Sequence, residues 1–274
     1  MKKIFSIFAL LLTCILTLAS CGGNKENVIV VGAMAQPGEP ILESVRDALK
    51  EEGYELKIQL FSDFNTPNQA LAEGSIDANL FQHEPFLNTY NIANGTDLYC
   101  AAKLYDCVYG GYTKKNITSL DQIPDGAEVT IANDASNMLR CLKILDASGL
   151  ITLADLPETL NATDINTYIA SNPKNLVVKP IATNMIAASL NDENNYLGLV
   201  NATFAIAAGL TSKELLCQEA DPEHVNANIL ACRADNKDSD KIKALVEALT
   251  TEETATFINN HFKGTIIPYF VKLV

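Results

Sequence analysis

Apolar positions along this chain recur in two alternating rhythms, every second residue and every third to fourth. Residues 28–34 form a nearly unbroken apolar run of strand length, as a strand buried on both faces requires. The next segment, 40–52, carries Ile41, Val45, Ala48 and Leu49 on one helical face, and Gly53 supplies the stop. Leu56, Ile58 and Leu60 then alternate with polar residues, which predicts a strand over 54–61. Thr66 and Pro67 open a short helix that Gly74 closes, since threonine caps well and proline suits the first turn. The pattern continues as a strand at 76–81, a helix at 84–92, a strand at 129–132 and a helix at 136–147 before Gly149. Further strands are expected at 176–181, 196–200 and 229–232. A helical stretch over 239–262 follows, with a break expected near Thr250 and Thr251.

Strands alternating with helices predict an α/β fold with mainly parallel sheets. Residues 98–112 read as one long extended stretch with Gly110 and Gly111 near its end, suited to crossing between two lobes. A second crossing is expected between Leu216 and Asn228. A chain that crosses twice builds one lobe from both ends and the other from its middle. The expected division is therefore lobe 1 from 28–110 plus 225–274, and lobe 2 from 111–224. A ligand cleft belongs between them, near strand ends and helix N-termini.

The start of the chain changes the picture. Lys2 and Lys3 precede an apolar run over 4–18, and Ala19 and Ser20 lead into Cys21, Gly22 and Gly23. That is the pattern of a secretory signal peptide, too short for a membrane-spanning helix. A cysteine directly after the small residues makes it a lipoprotein signal over 1–20, with Cys21 acylated and 21–27 as the tether. The other reading is an ordinary signal peptide with a chance cysteine. Lipid chains such as palmitate, at about 0.8 kcal/mol per buried methylene, would hold the body on the outer or periplasmic side of the cell membrane.

The net charge is −13, and losing Lys2 and Lys3 with the leader makes the body about −15. Such a body is a poor partner for nucleic acid or for an anionic lipid surface. Beyond Cys14 and Cys21 there remain Cys100, Cys107, Cys141, Cys217 and Cys232, with no CxxC and no zinc-like spacing. They read as small buried hydrophobes, with a Cys217–Cys232 or Cys100–Cys107 disulfide as the alternative. An enzyme reading finds little support. The histidines are His83, His224 and His261, and there is no GxSxG, phosphate loop or GxGxxG. No cofactor is implied. A metal site on His83 and Glu84 with distant carboxylates, or an adhesin without a small ligand, are the other non-enzyme readings.

Four segments are more specific than an α/β scaffold needs: SIDANLFQHEPF at 75–86, IANDASNMLR at 131–140, GLVNATFAIAAGL at 198–210 and NILACRADNKD at 228–238. With the leader, they resemble the methionine-binding lipoproteins of bacterial ABC importers, the NlpA/MetQ family, over nearly all of 28–270. The resemblance implies a two-lobed fold of the periplasmic-binding-protein type (type II). It implies a monomer that closes over L-methionine, or D-methionine, and delivers it to an importer's permease and ATPase. Another hydrophobic amino acid or a methionine-containing dipeptide stays open as the ligand.

By that resemblance Arg140 anchors the ligand carboxylate, which a planar guanidinium near a helix N-terminus suits. Ser136 or Asn137 is expected to cap that helix. Asn201 and Asn228 hold the rest of the amino-acid backbone, and Phe64, Phe81, Phe86 and His83 line the side-chain pocket. Without the resemblance Arg140 reads as part of a structural ion pair, the asparagines as turn and cap residues, and the phenylalanines as core. Phe64 and Phe86 stand where the family usually has tyrosine, 105–109 replaces a more usual His-x-Glu-Pro stretch, and Ala135 and Leu139 replace a usual proline and glycine. These departures bear on the ligand rather than on the fold.

Overall fold

The computed structural model describes residues 27–157 and 159–274. The expected signal peptide, Cys21 as the expected lipid attachment site, and all but the last residue of the expected tether lie outside the described residues. The chain opens with β1 (Val28–Met34), α1 (Gly38–Ser44), α2 (Arg46–Glu51) and β2 (Glu55–Phe61). Next come α3 (Thr66–Ala72), β3 (Ala78–His83), α4 (Glu84–Asn94) and β4 (Tyr99–Asp106). The middle comprises β5 (Tyr109–Tyr112), β6 (Glu128–Ala132), α5 (Ala135–Ala147), β7 (Thr152–Leu153), β8 (Ile169–Ser171), β9 (Val177–Ile181), α6 (Ile186–Ser189), β10 (Asn195–Asn201), α7 (Ala202–Ala207) and β11 (Leu215–Gln218). The chain ends with β12 (Ala227–Cys232), α8 (Asp240–Leu249), α9 (Glu252–Phe262) and β13 (Ile267–Lys272).

Two main sheets result, and each builds a lobe. The first runs β13-β4-β12-β3-β1-β2, the second β11-β5-β10-β6-β9, and β7 pairs with β8 on its own. The chain leaves the first sheet after Asp106, enters the second at Tyr109, and returns between Gln218 and Ala227. Parallel pairing is confined to β2-β1-β3 and β9-β6-β10, so the expectation of mainly parallel sheets is corrected. Strands β4, β5, β11, β12 and β13 pair antiparallel. Strands that carry the chain to and from the other lobe need no helical return, so nothing forces them parallel.

The first sheet is covered on both faces. Ile29 and Val31 point into the core with Leu42, Leu49, Leu245 and Leu249, whereas Ile229 and Ala231 face Leu71 and Leu87 on the other side. That double burial explains why β3 and β12 are buried at every position. A leucine such as Leu42, fully buried, contributes about 1.5–3 kcal/mol. In the second lobe Val129 and Ile131 of β6 pack with Met138, Cys141, Leu142 and Leu145 of α5.

Local chemistry moves several boundaries from their expected places. The single helix expected over 40–52 is two, broken at Val45 (φ −105°). Ser44 Oγ–H donates to Ile41 O at 2.7 Å, back-bonding of a kind that bends helices. Strand β3 begins at Ala78, two residues late, because Asp77 is already bonded to Val30: Asp77 N–H donates to Val30 O, and Val30 N–H to Asp77 Oδ2 at 2.8 Å. Helix α5 is capped by Asp134, which accepts from Asn137 N–H at 3.0 Å, and not by Ser136 or Asn137. The break between α8 and α9 falls at Thr250 and Thr251 as expected. All five described cysteines are free thiols, so neither disulfide forms.

Candidate functional site

The C-terminal end of β3 sets one wall of the cleft. His83 is its last residue and the N-cap of α4, and its Nδ1 accepts from Phe86 N–H at 3.2 Å. The ring proton is therefore on Nε2, which donates to Asn137 Oδ1 of the second lobe at 2.9 Å. Burial, with the positive charge of Arg140 adding to it, pushes the His83 pKa down to about 3, while the Asn137 bond works the other way. His83 is a neutral donor at any ordinary pH.

Phe81 and His83, two residues apart on one strand, both face Phe86, at ring distances of 6.0 and 6.2 Å. Phe64 joins them, 5.6 Å from Phe81 and 6.1 Å from Phe86. Phe204 of α7 closes the box from the second lobe, 5.0 Å from Phe64. Sequence reasoning missed Phe204, although it lies within the segment 198–210.

Arg140 is 5 % exposed and makes the densest set of contacts at the site. Its Nε–H and one Nη2–H donate to the two carboxylate oxygens of Glu219, at 2.8 and 2.6 Å. The second Nη2–H donates to Cys107 O at 2.9 Å, and Nη1–H donates to Asn137 Oδ1 at 3.3 Å. The Tyr109 ring lies 4.8 Å beneath the guanidinium. Burial works against the Arg140 charge, but Glu219 more than compensates and its pKa is raised. The ion-pair reading of Arg140 is thus part of the picture. The two-pronged edge on which a carboxylate was expected holds Glu219 instead. No periodicity marks Glu219, which sits in the irregular return segment after β11.

Asn201 caps α7, accepting from Thr203 N–H at 3.0 Å, and also accepts from the Cys107 thiol at 3.4 Å. Among the described residues its Nδ2 amide bonds nothing. Asn228 of β12 lies in register with His83 on one side and Tyr105 on the other. Its Nδ2–H donates to the Tyr105 hydroxyl at 3.3 Å. A hydroxyl donates or accepts, so either end of the Asn228 amide suits this pairing. One chain of contacts therefore links Asn201, Cys107, Arg140, Asn137, His83 and the phenylalanine box, with Asn228 beside His83. Six of the seven candidate residues lie within it, and Asn228 pairs with His83 in the strand ladder.

A groove of about 640 Å³ runs along the flank, between Pro85 and Ile92 of α4, Leu139 and Ile144 of α5, and Asp221 and Asn226 of the return segment. Of the candidate residues Arg140 alone reaches it, so the groove and the aromatic box are separate features. Among the described residues no group of three histidine, cysteine or acidic side chains converges as a metal site would need. Cys141 is fully buried in α5, and burial holds its thiol well above the usual range. No described helix is long and apolar enough to cross a membrane.

Two α/β lobes joined by two crossings, with aromatic, amide and guanidinium groups gathered between them, define a substrate-binding protein of the two-lobed type. The chain belongs to the NlpA lipoprotein family, which it matches over residues 29–270. It is 36 % identical to the methionine-binding lipoprotein MetQ of Bacillus subtilis, covering 98 % of this chain and 99 % of that one. It is 33 % identical to the D-methionine-binding lipoprotein MetQ of Escherichia coli, covering 91 % and 92 %. Among solved structures, a nutrient-binding protein from Burkholderia cenocepacia bound to methionine superimposes with a TM-score of 0.81 at 34 % identity, covering 88 % of this chain and all of the other.

Proposed function

We propose that this chain captures L-methionine, or a close relative such as D-methionine, and hands it to the permease and ATPase of an ABC importer. The observation that carries the reading is the pairing of one polar end with one apolar box in a single cleft. A free α-amino acid presents a carboxylate that needs donors and an ammonium that needs acceptors. Of the five guanidinium N–H groups of Arg140 four have partners, which leaves one Nη1–H for a carboxylate. Asn201 Nδ2–H supplies a second donor. The carbonyl end of Asn228 suits the ammonium. The box of Phe64, Phe81, Phe86 and Phe204 offers a thioether only ring faces and edges, with which sulfur packs well. Phe64 and Phe86 bring no hydroxyl, so the box favours an apolar side chain over a polar one.

In this reading Cys21 carries the lipid anchor and the body works as a monomer at the membrane surface, with lobe 1 and lobe 2 closing on the ligand. The names of the relatives, which are lipoproteins that bind methionine, support it. Native mass spectrometry of the body from Gly22 onward, purified without added ligand, tests it. A retained mass equal to methionine, lost in Arg140→Ala, is the expected result. A protein that binds another amino acid or a dipeptide, and not methionine, would replace the ligand while leaving the capture role. No binding of any amino acid would overturn the reading.

A further inference from the structure

We infer that Glu219 is a positioning residue of the ligand site, one that presents the Nη1 end of Arg140 to the ligand carboxylate and ties that anchor to both interlobe crossings. The inference rests on the reading of Arg140 as the carboxylate anchor. Glu219 is the first residue after β11, at the start of the return crossing. Its side chain is 8 % exposed and faces the 5 % exposed Arg140 side chain. Both carboxylate oxygens are committed to the Nε and Nη2 edge of the guanidinium.

The same carboxylate accepts a hydrogen bond from each crossing. Glu219 Oε2 accepts from Tyr109 N–H at 3.1 Å, just past the outward crossing. Glu219 Oε1 accepts from Asn226 Nδ2–H at 3.4 Å, at the far end of the return crossing. Glu219 N–H in turn donates to Tyr109 O at 2.9 Å. Arg140 itself reaches the outward crossing through Cys107 O. The plane of the guanidinium is thus set by Glu219, Cys107 and the Tyr109 ring before any ligand arrives. A bidentate Arg–carboxylate pair has a fixed geometry, so it aims the one remaining N–H in one direction. The pair is also neutral overall, so a zwitterion meets an oriented donor and not an unbalanced cation.

The test is carboxylate discrimination. Dissociation constants for L-methionine and for L-methioninol, which lacks the carboxylate, are measured by calorimetry on the wild type, Glu219→Gln and Glu219→Asp. The wild type should prefer methionine by on the order of 100-fold, since methioninol meets Arg140 with a neutral hydroxyl in place of a charged carboxylate. Glu219→Gln keeps the shape but turns an amide NH₂ toward the guanidinium. Its preference should fall by about tenfold, through weaker methionine binding, with methioninol within about threefold of wild type. Glu219→Asp keeps the charge with a shorter reach and should be intermediate; it serves where the glutamine variant does not fold. Equal weakening of both ligands, with the preference intact, would make Glu219 a purely structural bolt and overturn the inference. Tighter methionine binding in Glu219→Gln would overturn it too, because Glu219 would then compete with the ligand. A wild type that does not discriminate would instead remove Arg140 as the anchor, and the inference would fall with it.

Discussion

His83 makes the stability of this protein depend on pH in a calculable way. Its pKa lies at about 3 in the folded chain, against an ordinary value of 6.5. Between those values the unfolded chain binds a proton that the folded chain refuses, so stability is full above pH 6.5 and falls as the pH drops toward 3. Each pH unit well inside that window costs about 1.4 kcal/mol. From pH 7 to pH 5 the loss from this one ring is about 2 kcal/mol, a large share of an ordinary domain's margin. Urea unfolding of the wild type and of His83→Gln at both pH values, with equal m-values, isolates the effect. The variant is less stable throughout, but its loss between pH 7 and pH 5 should be smaller than the wild type's by that amount. Asp106, which burial raises despite the nearby His224, contributes with the opposite sign and cancels in the comparison. Matching pH dependence in the two proteins, to within about 0.5 kcal/mol, would refute the burial-driven shift and place the His83 proton elsewhere.

Asn137→Ala removes the acceptor shared by His83 Nε2–H and Arg140 Nη1–H, leaving two buried donors without partners. At about 1–3 kcal/mol per orphan, it should destabilise by roughly 2–6 kcal/mol in urea unfolding. At Gly111 a Cβ would run into Cys217 Sγ, so Gly111→Ala should cost about 1–3 kcal/mol, and Cys217→Ala in the same chain should restore most of it in thermal melts. Phe204→Ala opens the box toward the second lobe and should weaken methionine binding by about tenfold in calorimetry; a change under twofold would take Phe204 out of the site.

The helices and strands of the first half were legible because their apolar period is strong and their stops are glycines. The break at Val45 was not, since it depends on one serine hydroxyl turning back to Ile41 O. Residues 98–112 read as one extended stretch but form β4 and β5 in different sheets, and nothing in an extended pattern marks where the partner strand changes. Small strands such as β7, β8 and β11 carry too few residues for a period to register. The resemblance brought out residues that do converge, among them His83, Arg140 and the three phenylalanines. Their partners stayed hidden for a physical reason. Asn137 and Glu219 matter because of which atoms face them across 54 and 79 residues of chain, and no local pattern encodes that.

On the proposed capture reading, the balance between open and closed lobes draws on the packing of α4 against α5 and on three residue pairs across the cleft. The Phe64 ring lies 5.0 Å from Phe204, His83 Nε2–H donates to Asn137, and Asn184 Nδ2–H donates to Ser62 O at 3.3 Å. Each of the three pairs is worth on the order of 1 kcal/mol, the scale of the few kcal/mol that separate interconverting states. A ligand moves such a balance only by binding the closed form better, which it does by touching both lobes at once. The Asn184 contact separates closure from ligand contact, because Asn184 is exposed and belongs to neither the box nor the guanidinium network. Asn184→Ala should therefore weaken methionine binding by only about two- to fivefold, the worth of one exposed hydrogen bond. It should also open the ligand-free protein in small-angle scattering while leaving the methionine-saturated profile unchanged. A normal affinity with an unchanged ligand-free profile would show that this contact carries none of the closing energy, and would leave the balance to Phe204, Asn137 and the α4–α5 packing.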